Sequence, residues 1–396
     1  MKPIRIIDDQ FNLLGEIDAY ESFMLTRRWH KAGEFQFVVN RYANNAQHLH
    51  EGALLVPGND THKAVVIEHM EVELTESGKA SENWTIRGST LEGILRRLPA
   101  IPPEGAATES TNGPAETHMR KLVLTNVINP ADAKRAISQV GLAAVDQERG
   151  NNDLWETRWK QLDEELERIS LLTGLGWFVT LDYDQKKWLF DVKEGSNLTT
   201  SQSDLPPVIL SPDFDAVQSQ RFVDSVLDYK NIAYVAGQGE GVDRLIVQVG
   251  DVDAEGLDRY EMFVDARDIG NGDAEPTEDE DGNVVYPDGW LTEEEILDLL
   301  RQRGEERLAE RQRIRTFEGT ILDSCPFVYE RDWDLGDIVT IQNREWGVTM
   351  DERITEVVET YERSGFRLDA VFGKDSPTVM DKVRQGYRDA TVTSRG

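Results

Sequence analysis

The sequence predicts a mostly β protein of the α+β class, built from more than one domain. Short alternating apolar segments bounded by turn residues fill the first and last parts of the chain. Helical periodicity is confined to the middle and to one later segment. At roughly 100–200 residues per domain, the 396 residues predict two to four domains. Hydrophobic residues make up 39% of the chain, which is enough for sizeable cores.

The net charge limits the kinds of molecule that the protein is expected to bind. Lys and Arg number 43 against 74 Asp and Glu, which gives a net charge of −31. Such a charge repels phosphates and anionic lipid, so it argues against a nucleic-acid-binding protein and against docking on a membrane. The single Cys325 excludes an internal disulfide and a cysteine-built zinc site. With no apolar run of about 18 residues and no signal-peptide pattern, a soluble protein made in a reducing compartment is expected.

Residues 1–98 show the pattern of an antiparallel β domain. The apolar segments 23–29 and 35–39 flank Gly33, as two paired strands would. A helical turn is expected at 89–95, and prolines follow it. Further short strands are predicted at 4–6, 54–56, 64–67 and 84–87.

The middle of the chain predicts a compact α+β unit. Residues 104–114 are Gly, Ala, Ser, Thr and Pro in large part, the composition of a flexible connector. Helical spacing then predicts one helix over about 119–127 and a longer amphipathic helix over about 153–173. The segments 177–181 and 188–192 flank a polar turn and predict a hairpin.

Strands return from about residue 222. An acidic stretch over 273–288 precedes a helix, where Thr292 and Glu295 have the capping-box spacing. The residues from 374 predict a loosely held tail. Strands are predicted at 230–235, 245–249, 260–265, 316–322, 336–341, 346–349, 354–359 and 366–372.

Two loops have alternative interpretations. The glycines of 237–241 suggest a phosphate-binding loop, but such a loop needs a helix after it, and a strand is predicted here. A hairpin turn is therefore favoured. In the acidic loop 273–288, Asp279, Asp281, Gly282 and Asn283 partly match a calcium loop. However, Thr277 occupies the first ligand position, Asp288 replaces the bidentate Glu, and Pro287 interrupts the pattern. A solvated loop is favoured, and metal binding there stays open.

Candidate catalytic and metal-binding residues are few. His48 and His50 could share one strand face, but no further ligand spacing completes a metal site. Cys325 has no histidine near it in sequence, so nothing points to nucleophilic catalysis. The carboxylates Glu164, Glu165 and Glu167 are predicted on the solvated face of an amphipathic helix. The six histidines are His30, His48, His50, His62, His69 and His118.

Four tryptophans surround the predicted helix and hairpin. Trp155, Trp159, Trp177 and Trp188 could form a platform for a sugar. Packing beneath a small sheet is the commoner role for such residues, and exposed coplanar rings would be needed for sugar binding.

Several short motifs occur in an order that resembles a known family. They are Arg28-Trp29, residues 33–40 (GEFQFVVN), Ile67-Glu68, 86–91 (IRGSTL), 123–130 (VLTNVINP), 173–177 (TGLGW), 229–244 (YKNIAYVAGQGEGVDR), 334–339 (DLGDIV), 353–357 (RITEV) and Phe372-Gly373. In this order they resemble the tail-hub proteins of long-tailed phages, the Gp-thirty-seven-like siphovirus proteins, which are related to the baseplate hub of contractile phages. The resemblance covers residues from about 3 to 373.

The resemblance implies a homotrimeric structural protein of the virion tail tip. Two β-barrel-like hub domains would bracket a peripheral α+β domain, and three chains would form a pseudo-hexameric ring through which DNA passes. The implied partners are a distal tail or tail-tube protein, a tape measure protein, and a tail fibre or receptor-binding protein. The resemblance implies no catalytic residue, cofactor, metal, specific nucleic-acid binding or membrane anchor. The implied domains are 1–103, 104–205, 206–373 with an insertion over about 271–314, and a tail over 374–396.

Two alternatives from other functional classes stay open at this point. A tail-associated cell-wall hydrolase or peptidase would need a pocket that joins Cys325 or a histidine to acidic partners. A carbohydrate-binding receptor module would need the tryptophans of 155–188 on the surface. For the ring, the net charge suggests an acidic lumen that repels DNA.

Overall fold

The secondary structure of the protein is mostly β. The computed structural model describes residues 1–72, 82–272, 276–278, 284–287 and 290–373. Strands account for 41% of the structure and helices for 19%, so the prediction of a mostly β protein is confirmed. No helix in these residues has the length and hydropathy needed to cross a bilayer. The predicted tail over 374–396 lies outside the described residues.

The first region is an antiparallel sheet that follows the alternation of its sequence. Its strands are β1 (Ile4–Ile7), β2 (Leu13–Ile17), β3 (Ser22–Arg28), β4 (Glu34–Asn40), β5 (Leu54–Pro57), β6 (Val65–Glu71) and β7 (Asn83–Thr90). They pair in the order β3-β4-β7-β6-β5-β1-β2. Phe23, Leu25 and Phe37 are buried together, because alternate side chains of a strand share one face. The predicted strand pair around Gly33 is confirmed as β3 and β4.

The middle region combines two helices with short sheets. After a short 3₁₀ helix, Leu91–Arg97, its elements are β8 (Glu109–Pro114), α1 (Ala115–Val123), β9 (Val140–Leu142), β10 (Asn152–Thr157), α2 (Leu162–Thr173), β11 (Gly176–Asp182) and β12 (Lys187–Lys193). The predicted hairpin is confirmed as β11 and β12. The core contains Met119, Leu166, Trp177 and Phe190.

Two predictions for the middle region are wrong. Within 104–114, residues Glu109–Pro114 form strand β8 and pair with β10, so this part of the expected connector is held by a backbone ladder. The long helix begins at Leu162 rather than near 153. Leu154 lies at helical spacing from Leu162 and Leu166, but it belongs to strand β10, where the tertiary pairing decides the backbone conformation.

The last region returns to strands and contains an inserted unit. Its elements are β13 (Asn197–Leu198), β14 (Ile209–Leu210), β15 (Val217–Ser225), β16 (Ile232–Ala236), β17 (Ile246–Gly250), β18 (Glu261–Asp265), β19 (Thr277–Glu278), β20 (Val284–Val285), α3 (Glu293–Glu310), β21 (Ile314–Ile321), β22 (Ile338–Asn343), β23 (Val348–Glu362) and β24 (Gly365–Gly373). The predicted strand 354–359 lies wholly within the 15 residues of β23, and the one at 346–349 overlaps the first two residues of β23.

The inserted unit lies between β15 and β21 and has a core of its own. Strand β16 is central, antiparallel to β17 and parallel to β18. Helix α3 packs Leu299 and Leu300 against this sheet, together with Val235. The predicted capping box is confirmed, since the Glu295 carboxylate accepts a hydrogen bond from the Thr292 N–H at 2.7 Å and the Thr292 hydroxyl accepts from the Glu295 N–H.

The first and last regions share one sheet. Its strand order is β15-β21-β24-β23-β3-β4-β7-β6-β5-β1-β2, and β22 pairs with the first part of β23. Within the described residues this order is an open path, and no closed barrel is found, so the expected pair of barrels is not seen there. The long strand β23 explains the difference, because its second half pairs with β3 and carries the sheet across both regions.

Trp29 lies where the three regions meet. It directly follows β3, and its indole N–H donates to the carbonyl oxygen of Gly174 at 2.9 Å. Its ring contacts Phe178 on β11. Any side chain at Gly336 would clash with the Trp29 ring. Gly336 also has a φ of 94°, a conformation that favours glycine, so both the contact and the backbone conformation require glycine at this position.

Candidate assembly surface

The pairing of β3 with β23 forms a seam between two regions that are far apart in sequence. Residues from Arg28 to Ser22 pair with those from Glu356 to Glu362 in antiparallel register. The ladder continues past the strand, because the Trp29 N–H donates to the Thr355 carbonyl at 2.9 Å. The seam has an inner side that faces the cores and an outer side that faces solvent, since alternate residues of each strand point in opposite directions.

The inner side of the seam holds a group of charges that we call the inner cluster. Arg27, Lys63 and Glu359 are buried, and Glu330 and Asp334 complete the group at its partly exposed edge. The Lys63 ammonium lies 2.7 Å from Glu359 and 2.9 Å from Glu330. Lys63 is 2% exposed and Glu359 is fully buried. Arg27 donates to Glu330 at 3.1 Å and to Asp334 at 3.2 Å. These pairs connect residues of the first region to residues of the last.

Two tyrosines complete the hydrogen bonding of the inner cluster. The Tyr361 hydroxyl donates to Glu359 at 2.6 Å, and the Tyr329 hydroxyl donates to the same carboxylate at 3.1 Å. Burial raises the pKa of Tyr361 and of Tyr329, so both stay protonated and act as donors. Burial alone would raise the pKa of Glu330, but the His62 hydrogen bond and the Lys63 charge lower it to about 2.

The outer side of the seam belongs to a solvent-facing surface, which we call the outer face and which is formed by β15, β21, β24, β23, β3 and β4. Arg28 donates to Glu356 across the seam and to Glu34 on β4, each at 2.7 Å. Further along, Arg221 donates to Glu318 at 2.9 Å. The outer face therefore spans the first and last regions and carries charged side chains of both signs.

A broad cleft of about 540 Å³ lies on the outer face. Its lining includes three basic and four acidic side chains, namely Arg28, Lys31, Arg221, Glu34, Glu318, Glu356 and Asp369. The two signs nearly balance, so this surface is polar without being strongly acidic. A second cleft of about 360 Å³ lies beside Trp29 and Phe178. No histidine or cysteine lines either cleft.

Glu165 is not on the solvated face of its helix, in contrast to the prediction. It is fully buried and ion-paired with Arg168, which also pairs with Glu306 of α3. Burial opposes ionisation, but the charges of Arg168 and Lys160 lower the pKa of Glu165 to about 2. The Glu165 carboxylate is held by Thr157 of β10, Lys160 and Arg168, and α3 reaches this group through the Arg168–Glu306 pair.

His118 is joined to Glu165 through one hydroxyl. The Thr157 hydroxyl donates to Glu165 at 2.6 Å and lies 3.1 Å from His118 Nε2, while His118 Nδ1 lies 2.9 Å from the Thr111 hydroxyl. Burial lowers the pKa of His118 to about 3, so the ring is neutral. His118 is fully buried and lines neither cleft, so this arrangement stabilises the middle region and offers no access to a substrate.

The other candidate catalytic residues lie apart from one another. His48 lies beside the Gln47 amide, and His50 lies against the Glu51 carbonyl. Cys325 is partly buried, and burial raises the pKa of its thiol, which disfavours the nucleophilic thiolate. Among the described residues, no group of three or more His, Cys, Asp or Glu could hold a metal ion.

The tryptophans do not form an exposed platform. Trp155, Trp177 and Trp188 are buried, and of the four only Trp159 is exposed. The Trp155 N–H donates to the Gly113 carbonyl and the Trp177 N–H to the His30 carbonyl, as expected of packed residues. The carbohydrate-binding alternative therefore loses the feature on which it rested.

The two loops with alternative interpretations have different outcomes. Residues 237–245 connect β16 to β17, which are adjacent antiparallel strands, so the Gly-rich loop is the hairpin turn that the sequence favoured. Most of the acidic loop 273–288 lies outside the described residues, and so do Asp279, Asp281 and Asp288 of the suggested calcium site.

Solved structures of phage tail proteins share this fold. The 43 kDa tail protein of prophage MuSo2 from Shewanella oneidensis is 12% identical, with a TM-score of 0.56 over 94% of this chain and 98% of that one. A tail protein from Neisseria meningitidis MC58 is 16% identical, with a TM-score of 0.54 over 95% and 97%. Prophage tail protein gp18 from Listeria monocytogenes EGD-e is 11% identical, with a TM-score of 0.51 over 98% and 99%. At these identities the similarity shows the fold.

Comparison with protein families tests the resemblance found in the motifs. No curated protein matches the sequence. The family model described as "Siphovirus ReqiPepy6 Gp37-like protein" matches residues 3–374, nearly the whole sequence. The chain therefore belongs to the siphovirus Gp37-like protein family.

Proposed function

We propose that this chain is the hub of a phage tail tip or baseplate, where three copies form a ring that joins the tail tube to the tip. The observation that carries the proposal is the seam, which makes the two β regions of one chain into a single sheet. Two such regions per chain give six in a trimer, which suits the junction between a six-fold tube and a three-fold tip. Family membership and the tail-protein fold support the same assignment.

The ring needs contacts between copies, and the two ends of the main strand path are candidates for them within the described residues. Strand β15 ends the sheet on one side and β2 ends it on the other. Different edges that meet head to tail generate a closed ring when the rotation between copies closes. We place the subunit contacts at these two edges, because an edge strand presents unpaired backbone groups that another chain can pair with.

The outer face is assigned to the wall of the channel through which DNA passes. It spans both β regions, and its charges are paired and nearly balanced, as at Arg28 with Glu356 and Arg221 with Glu318. Such a wall gives DNA phosphates no concentrated positive charge to bind. The assignment replaces the expectation of an acidic lumen, because the excess negative charge then lies elsewhere on the chain.

The remaining parts of the proposal follow from the hub role. The domains are 1–103, 104–205 and 206–373, followed by the tail 374–396, with the α+β domain at the periphery of the ring. A distal tail or tail-tube protein, a tape measure protein and a tail fibre or receptor-binding protein are the proposed partners. The proposed role is structural, and within the described residues neither of the two clefts above is lined by Cys325 or a histidine.

Light scattering of the purified chain at low and high salt tests the ring. We expect a mass near three times 44.9 kDa, favoured by salt because screening weakens the repulsion between chains of charge −31. Electron microscopy of that species should show a ring with a central hole. A closed dimer would contradict the proposal, as would absence of the chain from purified tails.

A further inference from the structure

A five-residue sequence occurs twice in the inserted unit. Residues 240–244 are Glu-Gly-Val-Asp-Arg, and residues 255–259 are Glu-Gly-Leu-Asp-Arg. One residue separates the first copy from β17 and, likewise, one residue separates the second copy from β18. The two copies differ only in the apolar residue at the centre, Val242 or Leu257, so the position keeps its apolar character in both.

Both copies have the same backbone conformation. Gly241 and Gly256 each have a φ of +58°, which favours glycine, and the preceding Glu240 and Glu255 are both extended. Each copy forms a single turn of 3₁₀ helix, Gly241–Asp243 and Gly256–Asp258. The two turns are therefore the same local structure used twice.

The arginine that ends each copy holds its loop in place. Arg244 donates to the Gly237 carbonyl at 2.7 Å and to the Ala236 carbonyl at 2.8 Å. Arg259 donates to the Ala254 carbonyl at 3.0 Å and to the Tyr234 hydroxyl at 3.1 Å. Charge-assisted bonds to main-chain oxygens fix each loop, so each turn presents its central residue from a defined position.

The central residues of the two turns are almost completely exposed. Val242 is 99% exposed and Leu257 is 96% exposed. Ten of the 23 large apolar side chains that are exposed in the described residues lie between Val226 and Tyr286, within the inserted unit. Single exposed apolar residues are normal on a protein surface, but a concentration in one unit marks an interaction site.

One face of the three-stranded sheet connects the two turns. Helix α3 covers the opposite face, where Val235, Val249 and Val264 are buried. On the open face, Phe263 and Ile246 are exposed beside Tyr234. The turns lie at opposite ends of β16, because one follows its last residue and the other leads into the parallel neighbour β18. This face also carries the exposed carboxylates Glu261 and Asp265, and Arg244 lies over the Phe263 ring. We call the two turns and this mixed apolar and acidic face the twin-turn surface.

The charge of the inserted unit indicates which class of molecule can bind the twin-turn surface. Residues 226–313 contain 24 acidic and nine basic residues, a net charge of −15, which is about half of the −31 of the chain in less than a quarter of its length. The same surface of a second copy carries the same charge, and nucleic acid and anionic lipid are also negative, so none of these is favoured against this surface. We propose that the twin-turn surface binds a different protein, one with a basic surface and apolar pockets that receive Val242 and Leu257.

Photo-cross-linking in cells that express the tail genes tests the partner. The photoreactive residue p-benzoylphenylalanine replaces Val242, Leu257 or, as a matched control, Tyr42, which is exposed in the first region. The tagged chain is recovered after irradiation, and the cross-linked peptides are sequenced. We expect positions 242 and 257 to cross-link to a segment of another protein that has net positive charge. Cross-links to a second copy, to an acidic segment, or at a yield no higher than at position 42 would overturn the proposal.

Binding of the purified partner gives the second measurement. The double variant Val242→Ser/Leu257→Ser should raise the dissociation constant at least 10-fold, because exposed anchors that fill pockets dominate such interfaces. Its unfolding temperature should equal that of the wild type, since neither side chain is buried in the free chain. Unchanged affinity, or a lowered unfolding temperature, would contradict the docking role. Absence of the chain from purified tails would count against the hub proposal alone, because the cross-linking readout does not require a tail.

Discussion

The two sides of the seam use the same residue types for different purposes. Arg27 and Arg28 are neighbours on β3, but Arg27 points to the inner cluster and Arg28 to the outer face. Likewise on β23, Glu359 is fully buried and Glu356 borders the cleft. The inner pairs connect two regions of the chain, and the outer pairs lie on the surface that we assign to the channel wall.

The burial of the ion pairs on each side of the seam decides how much they contribute to the stability of the protein. A buried charge that loses its partner keeps its desolvation cost, so the inner pairs make the docking of the two regions all-or-none. A pair that water can reach gains less over hydration, so the outer pairs contribute less to stability than the Lys63–Glu359 pair. Their side-chain exposure ranges from 18% and 20% for Arg28 and Glu356 to 64% and 34% for Arg221 and Glu318. The buried ion pairs therefore hold the seam together, while the side chains of the outer face can vary to suit the molecule that contacts them.

Removal of Lys63 should have the largest effect. Lys63→Met leaves Glu359 and Glu330 without their shared cation and should lower the free energy of unfolding by about 3–5 kcal/mol. Urea unfolding followed by tryptophan fluorescence measures this loss, since Trp29 lies at the junction of the three regions.

The matched control for this prediction removes both charges of the closest pair. Lys63→Met/Glu359→Gln should be less destabilised than the sum of the two single variants, because no unpaired charge of that pair remains buried. A loss below about 1 kcal/mol for Lys63→Met would show that the inner cluster does not hold the regions together.

The second largest effect should be a loss of stability at acid pH, caused by protonation of Glu330 in the inner cluster. The pKa of Glu330 is about 2, below its ordinary 4.5, so its stabilisation is fully present above pH 4.5 and is lost as the pH falls from 4.5 towards 2. Because the Glu330 side chain is 28% exposed, solvent screening reduces the amount to about 1–2 kcal/mol. Thermal unfolding of wild type and Glu330→Gln between pH 7 and 3 measures it. The variant should lose less stability over this range, and parallel curves for the two proteins would refute the assignment.

The sequence predicts the local elements better than their pairing. Alternation locates strands such as β3, β4, β11 and β12, because each has one apolar face. The register of Arg28 with Glu356 joins residues more than 300 positions apart, and no local pattern encodes such a contact. One signal was present, because Arg27 falls in phase with Phe23 and Leu25, and a charged residue in an apolar phase marks a buried charge.

The errors in the middle region have the same origin. Glu165 looks solvated when its helix is considered alone, but Thr157 of β10 and the Arg168 that pairs with Glu306 of α3 hold its buried carboxylate. Likewise, Leu154 fits a helical period, but its pairing with Asn112 places it in a strand. In both cases a partner distant in sequence decides the outcome, so reasoning from a local window fails.

On the outer side of the seam, Arg28 should matter much less than Lys63. Arg28→Gln removes the charges that pair with Glu356 and Glu34 and should cost about 1 kcal/mol, because these side chains are half-buried or exposed. The measurement is urea unfolding at 0.05 and 0.5 M salt, where we expect the difference from wild type to shrink as screening increases. A loss as large as that of Lys63→Met would remove the distinction between the two sides.

The smallest effect is expected at Arg221, which is on the same face but away from the seam. Its side chain is 64% exposed, so the pair with Glu318 competes with full hydration, and Arg221→Gln should change stability by less than about 0.5 kcal/mol. Both arginines contact carboxylates at under 3 Å, so the two variants remove ion pairs of similar geometry. A comparison of Arg221→Gln with Arg28→Gln under the same conditions therefore measures the effect of burial on the stability that a pair contributes. If the two variants lost equal stability, position at the seam would not matter. If Arg221→Gln alone also lowered the trimer fraction in light scattering, that edge strand would be a subunit contact, as its place at the end of the sheet implies.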